Sequence, residues 1–311
     1  GRYDLVLEKG WLLSGYVSAR FRRHGVPAIP VENLVPRRAS VSAPGPIARS
    51  RHRVARRLAG RLLGGAPTIV VETEPLGRAM TALWGVDPRR IEVIELGVDP
   101  GAFRPGDRVA ARRALGLDPH GLLFVYVGVL DRTHDLGPVF EGLAAARRRF
   151  RLLIVGDGPL RGEYEAAVRR LGLADRVEFH GRVAHDRVPA YLAAADLCLA
   201  PYDPDAFFGG EVGYSTLKIR EYLAAGRPVA SIASGSILDL VEEGETGFLV
   251  PHDPAAWGAL FRALPDRERL HAMGDAAARR PIRIWDDVAR DFLGVCRREV
   301  ARAASGARRP R

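Results

Sequence analysis

From Gly121 to Val250 the chain repeats one unit, a short run of apolar residues followed by a stretch with helical periodicity. The runs are LLFVYVG, RLLIVG, VEFHG, LCLAPY, PVASI and GFLV. Apolar runs this short, with no polar alternation, need cover on both faces, and a parallel sheet between helices supplies it. The spacing predicts helices over Leu136 to Arg149, Leu160 to Leu171, Arg187 to Ala195, Leu217 to Ala225, Ile237 to Glu243 and Pro254 to Leu264, with a closing helix from Asp286 to Arg298. Such alternation predicts a doubly wound sheet, whose ligands sit beyond the carboxyl ends of the strands. The strand exits that carry glycine therefore matter most: Gly128, the GDGP at Gly156 to Pro159, and His180-Gly181-Arg182.

The first third also alternates. YDLVL, VPAIPVEN, TIVVETE and RIEVIEL read as strands, with helices over SGYVSARFRRHG and Pro75 to Trp84. Ser40 to Ser50, rich in Pro, Ser and Gly, reads as a mobile surface segment. Arg51 to Leu63 reads as a helix with Val54, Leu58 and Leu62 on one stripe and Arg53, Arg57 and Arg61 on another. That pattern fits a helix lying on an anionic membrane, or a solvated Arg face on a helix docked by its leucines.

A chain of 311 residues, 47% hydrophobic and 27% charged, is expected to be globular with about two domains. No apolar run reaches the roughly 18 residues of a membrane span, and the start lacks a secretory pattern, so a soluble cytoplasmic protein is expected. Cys198 and Cys296 suggest neither a disulfide framework nor a thiolate metal site. The net charge of +10 favours an anionic partner. Nucleic acid is disfavoured, because no aromatic interleaving or reading module accompanies the charge. Nearly all the basic residues are Arg; Lys occurs only at Lys9 and Lys218. An ammonium at Lys218 is a compact point charge of the kind a phosphate can use.

Lys218 lies in the stretch Gly209 to Ser231, GGEVGYSTLKIREYLAAGRPVAS. Glycines and small polar residues there precede Ser215, Thr216, Lys218 and Glu221 at a predicted helix start. Small residues let N–H groups approach a ligand, and a helix start favours phosphate, so the stretch outlines a phosphate-and-ribose pocket or, alternatively, an ordinary loop and helix. In VGDGP, Gly156 and Gly158 clear side chains from a strand exit, as suits a nucleotide or a purely structural turn. The dinucleotide fingerprint fails at Arg161, and no Gly-Lys-Ser or Gly-Lys-Thr loop occurs. His134 could donate to a phosphate oxygen or simply face solvent, and Glu8, Glu32, Glu72 and Glu74 fall at or near strand ends, facing a cleft or the surface. No Ser-His-Asp order or His-Glu-x-x-His appears, which argues against a triad hydrolase or a zinc enzyme.

Taken in order, these pieces resemble a family 4 glycosyltransferase of the GT-B fold. IEVIELGVDPGAFRP resembles the interdomain segment, and LLFVYVGVLDRTHDL the first strand and phosphate turn of the donor domain. The run from LLIVGDGPLRGEYEAAVRRLGLADRVEFHGRV to LCLAPY, then STLKIREYLAAGRPVAS, LVEEGETGFLV and the closing IWDDVARDFL, complete the likeness. The resemblance implies two Rossmann-like domains: a partial acceptor-side domain over 1–106, a donor domain over 107–284, a closing helix over 285–303 that crosses back, and a disordered basic tail over 304–311. It implies transfer of a sugar from a nucleoside diphosphate donor to a glycan or lipid-linked acceptor with retention of configuration, without cofactor or metal. Peripheral association with an anionic inner membrane face accompanies the lipid-linked option.

By the same resemblance Lys218 and Glu221 carry catalysis. Glu221 holds the ribose; Lys218 and the N–H groups of Ser215, Thr216 and Leu217 hold the diphosphate; Gly181, Arg182 and Val183 border the base; and Gly128, His134, Gly156 and Gly158 complete the donor loops. The sequence departs from the family pattern at three places. The first Glu of Glu-x7-Glu falls at Gly213, with Glu211 two residues away; Val129 stands for the family's Arg and His134 for its Lys; and only about a hundred residues precede Phe103, too few for a whole acceptor domain. These departures leave a second expectation, a non-catalytic transferase-like subunit that binds a nucleotide or a partner chain.

Overall fold

The structure, a computed structural model, describes residues 3–10, 14–33, 54, 57–146 and 149–306. The chain forms two compact units, one of Gly1–Gly97, Asp205–Ser215 and Arg283–Arg311, the other of Val98–Pro204 and Thr216–Ile282.

The first unit holds β1 (Val6–Lys9), β2 (Ala28–Glu32), β3 (Ile69–Val71) and β4 (Ile91–Val93) in one parallel sheet, in that order. Val6 lies opposite Ala28, Val31 opposite Val70 and Ile69 opposite Ile91. Among the described residues this sheet runs one way and contains no reversal of strand order. Helices Tyr16–Arg23 and Glu74–Trp84 flank it; in the second, the Thr73 hydroxyl accepts the Leu76 N–H at 3.3 Å and caps the start. Helix Trp285–Gly306 sets Val288 and Val295 against Ile29, Val70 and Ile94. Its Glu299, nearly fully buried, accepts the Thr68 hydroxyl at 2.7 Å. This helix runs past its expected end at Arg298 and takes in residues 304–306, expected to be disordered tail. Ser40 to Ser50 and 307–311 lie outside the described residues.

The second unit is a six-stranded parallel sheet of β5 (Leu123–Val127), β6 (Arg151–Val155), β7 (Val177–Gly181), β8 (Leu197–Ala200), β9 (Val229–Ile232) and β10 (Gly247–Val250). Its order is β10-β9-β8-β5-β6-β7, so the chain winds outward from β5 in one direction, returns, and winds outward from β8 in the other. The reversal opens a crevice beyond the ends of β5 and β8. Each predicted apolar run forms a strand, and Phe124 of β5 stacks on Phe150 and Phe261 with centroids 5.7 and 5.5 Å away.

Two helices absent from the sequence reading, Arg108–Ala114 and Arg267–Arg279, close the other end of this sheet. Each starts at an aspartate whose carboxylate accepts a backbone N–H, Asp107 from Ala110 and Asp266 from Arg269. Both helices meet on Asp196, which is fully buried just before β8. Its carboxylate lies 2.6 Å from Arg112, 3.3 Å from Arg267, 3.1 Å from His271 and 3.5 Å from Arg108, and accepts the Leu123 N–H at 2.8 Å. Burial opposes its charge, but the Leu123 N–H, Arg112 and His271 hold the carboxyl below its ordinary range.

Candidate functional site

The exits of β5, β6 and β7 are sewn to one another before any ligand is considered. The Gly128 N–H donates to the Val155 carbonyl at 2.9 Å, Gly156 to Gly181 at 2.8 Å, Leu130 to Asp157 at 3.1 Å, and Leu160 back to Leu130 at 3.0 Å. A Cβ at Gly156 would collide with the carbonyl oxygen of Gly128, and one at Gly158 with that of Leu130. The room that these glycines clear is therefore filled by the neighbouring turn, as the alternative of a purely structural turn expects. Gly156 also sits at φ 137°, where other side chains are strained.

Beyond this seam lies the reversal point, and four side chains reach it. Tyr126, on β5, is fully buried and its hydroxyl donates to the Val129 carbonyl at 2.8 Å, tying the strand to the turn that follows. Tyr202, just past β8, is also fully buried. His134 turns its Nδ1 to Asp131 Oδ1 at 3.0 Å and packs its ring 5.2 Å from Tyr202. Lys218 enters from helix Leu217–Ala224, with Nζ 4.5 Å from the Tyr126 ring centroid and 5.5 Å from that of Tyr202. Its ammonium donates to the Tyr126 hydroxyl at 3.4 Å, and a Cβ at Gly128 would collide with it.

The helix that carries Lys218 is pinned by the next aromatic along it. The buried Tyr222 hydroxyl accepts the Val127 N–H at 2.8 Å and donates to the Val127 carbonyl at 3.2 Å, fixing the helix to the end of β5. Thr216 stands at the N-cap without capping by its side chain, and the Ser215 and Thr216 hydroxyls are buried without a hydrogen-bond partner among the described residues. Buried, unsatisfied donors at a helix start suit an anion. The Ser215 N–H, expected at the diphosphate, donates instead to the Glu72 carboxylate. Burial lowers the Lys218 ammonium to about 7, although Asp131 and Glu221 favour its charge. Burial raises Glu221 to about 7, with Lys218 opposing.

The remaining sequence candidates lie as follows. Gly181 ends β7, Arg182 is exposed and Val183 half-buried. Val129, in the place of the family's Arg, is 51% exposed. Glu211 pairs with Arg78 at 2.7 Å, and the Gly213 carbonyl accepts the Thr73 hydroxyl at 2.8 Å. Glu8 accepts the Val17 and Ser18 N–H groups at 3.2 and 2.7 Å, at the start of helix Tyr16–Arg23, and so serves that helix. Glu32, 2% exposed at the end of β2, accepts the Ser14 hydroxyl at 3.1 Å, while Glu74 is exposed. Among the described residues no group of three or more His, Cys, Asp or Glu could hold a metal ion.

The basic helix differs from its expected docking. In the helical stretch 57–64, Ala59 and Leu63 are buried while Leu58 is exposed, as is Val54, with Leu62 half-buried. The leucine stripe therefore does not dock the helix. Arg57 and Arg61 are exposed, and Arg53 lies outside the described residues.

Known proteins match both the sequence and the fold. Residues 121–266 match the family described as glycosyl transferases group 1. A D-inositol 3-phosphate glycosyltransferase of Acidothermus cellulolyticus is 31% identical across 99% of this chain and 70% of its own length. A protein of the same description from Nocardia farcinica is 32% identical across 88% of this chain and 61% of its own length. Sucrose-phosphate synthase from Thermosynechococcus elongatus superposes with a TM-score of 0.79 at 25% identity, covering 96% of this chain and 74% of that one. An Anabaena protein solved in complex with UDP superposes at 0.69 and 22% identity, over 98% and 79% of the two chains. The expected GT-B architecture and transferase kinship are thus met. The chain belongs to the group 1 glycosyl transferases.

Proposed function

We propose that the protein transfers a sugar from a nucleoside diphosphate donor to an acceptor hydroxyl with retention of configuration, without metal or cofactor. The observation that carries this reading is the arrival of Lys218, at the start of its helix, at the reversal point of the six-stranded sheet. In the reaction the bond from the anomeric carbon to the diphosphate breaks, a bond to the acceptor oxygen forms, and the acceptor proton leaves with the diphosphate. Charge grows on the leaving group, where Lys218 and the N–H groups of Thr216 and Leu217 stabilise it most. Glu221 accepts hydrogen bonds from ribose hydroxyls, and Gly181, Arg182 and Val183 border the base. The Anabaena complex with UDP supports this class of donor, and the names of the relatives support glycosyl transfer.

Calorimetric titration with UDP-, GDP- and ADP-sugars tests the reading. One of them binds the wild type, and Lys218→Ala weakens it by about 100-fold. Binding to none overturns the proposal. Binding without transfer or donor hydrolysis favours the non-catalytic subunit, a reading that Val129 and the Glu211–Arg78 pair motivate.

The acceptor side is proposed to work at an anionic membrane surface. Val54 and Leu58, 64% and 42% exposed, stand with the exposed Arg57 and Arg61, a pattern that joins apolar insertion to lipid charge. No helix among the described residues is long and apolar enough to cross a membrane. Flotation with vesicles containing phosphatidylserine is expected to carry the wild type and lose Arg57→Glu/Arg61→Glu; equal flotation of both removes the membrane from the reading.

A further inference from the structure

We propose that Tyr126 and Tyr202 are positioning residues for the donor, forming an aromatic seat that fixes the Lys218 ammonium at the reversal point and keeps it cationic. The inference rests on the donor reading of that site and adds to it the groups that make its one lysine usable.

The geometry is specific. Nζ lies over one ring at 4.5 Å and the other at 5.5 Å, inside the range in which a cation is drawn to the negative face of an aromatic ring. Both rings are themselves immobilised. They are fully buried, Tyr126 is tied through its hydroxyl to Val129, and Tyr202 packs against the His134 ring. The space beside the ammonium is kept open by Gly128, where any Cβ would strike both the ammonium and the Tyr126 hydroxyl.

A seat of this kind answers a physical difficulty. An ammonium drawn into a low-dielectric crevice tends to shed its proton, and burial brings Lys218 down to about 7. A neutral amine does not hold a diphosphate. The charged and titratable groups that bear on Lys218 are Asp131 from the turn after β5, Glu221 from its own helix, and the two tyrosines, with His134 beside Tyr202. The carboxylates favour the cation through charge, but they also repel the incoming phosphate. The rings favour the cation without adding a full negative charge, so they can hold it without competing with the donor. Val129, where the family pattern has an Arg, leaves this cation a larger share of the task.

Only two lysines occur in the chain, Lys9 and Lys218, which permits a direct test. Protein labelled with carbon-13 in lysine gives two ε-carbon signals, assigned with Lys9→Arg, whose midpoints are followed by NMR from pH 5 to 11. The Lys218 ε-methylene protons are expected upfield of those of Lys9 in the wild type, because the Nζ they adjoin lies 4.5 and 5.5 Å from two aromatic ring centroids. Tyr202→Leu and Tyr126→Leu are each expected to lower the Lys218 midpoint by about 0.4 to 1.5 pH units, while Tyr202→Phe, which keeps the ring, leaves it in place. With UDP-glucose as the probe, or whichever sugar nucleotide binds the wild type, the leucine variants raise KM by more than they lower kcat.

Unshifted ε-methylene protons in the wild type overturn the proposal, even if a leucine variant fails to fold. So does an unchanged midpoint in folded leucine variants. A wild type that shows the ring dependence but binds no sugar nucleotide leaves the seat standing and removes the donor reading instead.

Discussion

At the carboxyl ends of the two sheets burial acts on groups of opposite kind, an ammonium in one and carboxyls in the other. In the six-stranded sheet the exits are glycine turns closed on each other, and the cation brought to them, near Asp131 and Glu221, is the Lys218 ammonium. In the four-stranded sheet the exits carry carboxyls beside the exposed Lys9 that ends β1. Burial pushes Glu32 up to about 8, with the Ser14 hydroxyl opposing and Glu8 adding to it, and pushes Glu72 up to about 6 against the Ser215 N–H and Lys9. A parallel sheet gathers its polar groups at this edge whatever their sign, and the sequence chooses the sign. An ammonium there suits a diphosphate. A carboxyl raised towards neutral pH both donates and accepts hydrogen bonds.

The contrast breaks most visibly at the lysines. Lys218→Ala is expected to cut kcat/KM by about 100-fold or more, whereas Lys9→Ala, on an exposed strand position of the first unit, changes it less than about twofold. Comparable losses in steady-state kinetics would mean that the two ends are not specialised as described.

Proton linkage sharpens the comparison. The Glu32 carboxyl is raised in the folded state, so its contribution is complete below the unfolded value of 4.5 and is lost as pH rises through about 8. Glu221 loses its contribution in the same direction, up to about 7. Lys218, lowered on folding, works the other way: its cost is full below about 7 and disappears by 10.5. Urea unfolding at pH 5 and pH 9 is expected to show that Glu32→Gln removes a loss on the order of a few kcal/mol from the wild-type difference. An identical pH slope in wild type and variant would refute the assignment of that loss to Glu32.

Smaller effects come from the glycines at each edge. A Cβ at Gly10 would collide with Glu32 Oε2, and one at Gly156 with the Gly128 carbonyl. Gly10→Ala and Gly156→Ala are each expected to lower stability by about 1–3 kcal/mol in thermal melts. Since Gly10 presses on a side chain that can swing and Gly156 on backbone that cannot, Gly156→Ala is expected to be the worse; the reverse order would place the strain elsewhere.

Much of this was legible in the residues. Unbroken apolar runs marked β5 to β10, and the scarcity of lysine singled out Lys218. Helix Arg108–Ala114 was not legible by periodicity, because its buried side chain is Arg112 and Val109 is exposed; Arg267–Arg279 does carry a stripe, Leu270, Met273 and Ala277, that went unread, and Asp107 and Asp266 were visible capping signals for both. Tyr126, Tyr202 and Tyr222 were missed because a tyrosine in or beside an apolar run reads as core, and only the fold shows where its hydroxyl points. The stripe Val54, Leu58, Leu62 misled for a related reason. The helix docks through Ala59 and Leu63, and alanine adds little to an apolar pattern while permitting close approach.

Asp196 bears on where this chain can be cut. The stretch that matches the family ends at residue 266 and begins at 121, so a fragment taken at those limits discards Arg108, Arg112, Arg267 and His271 together and keeps the carboxylate they surround. Such a fragment would strip from the carboxylate its four ion-pair partners and the two helices that carry them, and would keep Arg227 as a more distant cation. A piece of the donor unit that keeps this ion cluster whole begins before Asp107 and runs beyond His271, outside the limits of the family match.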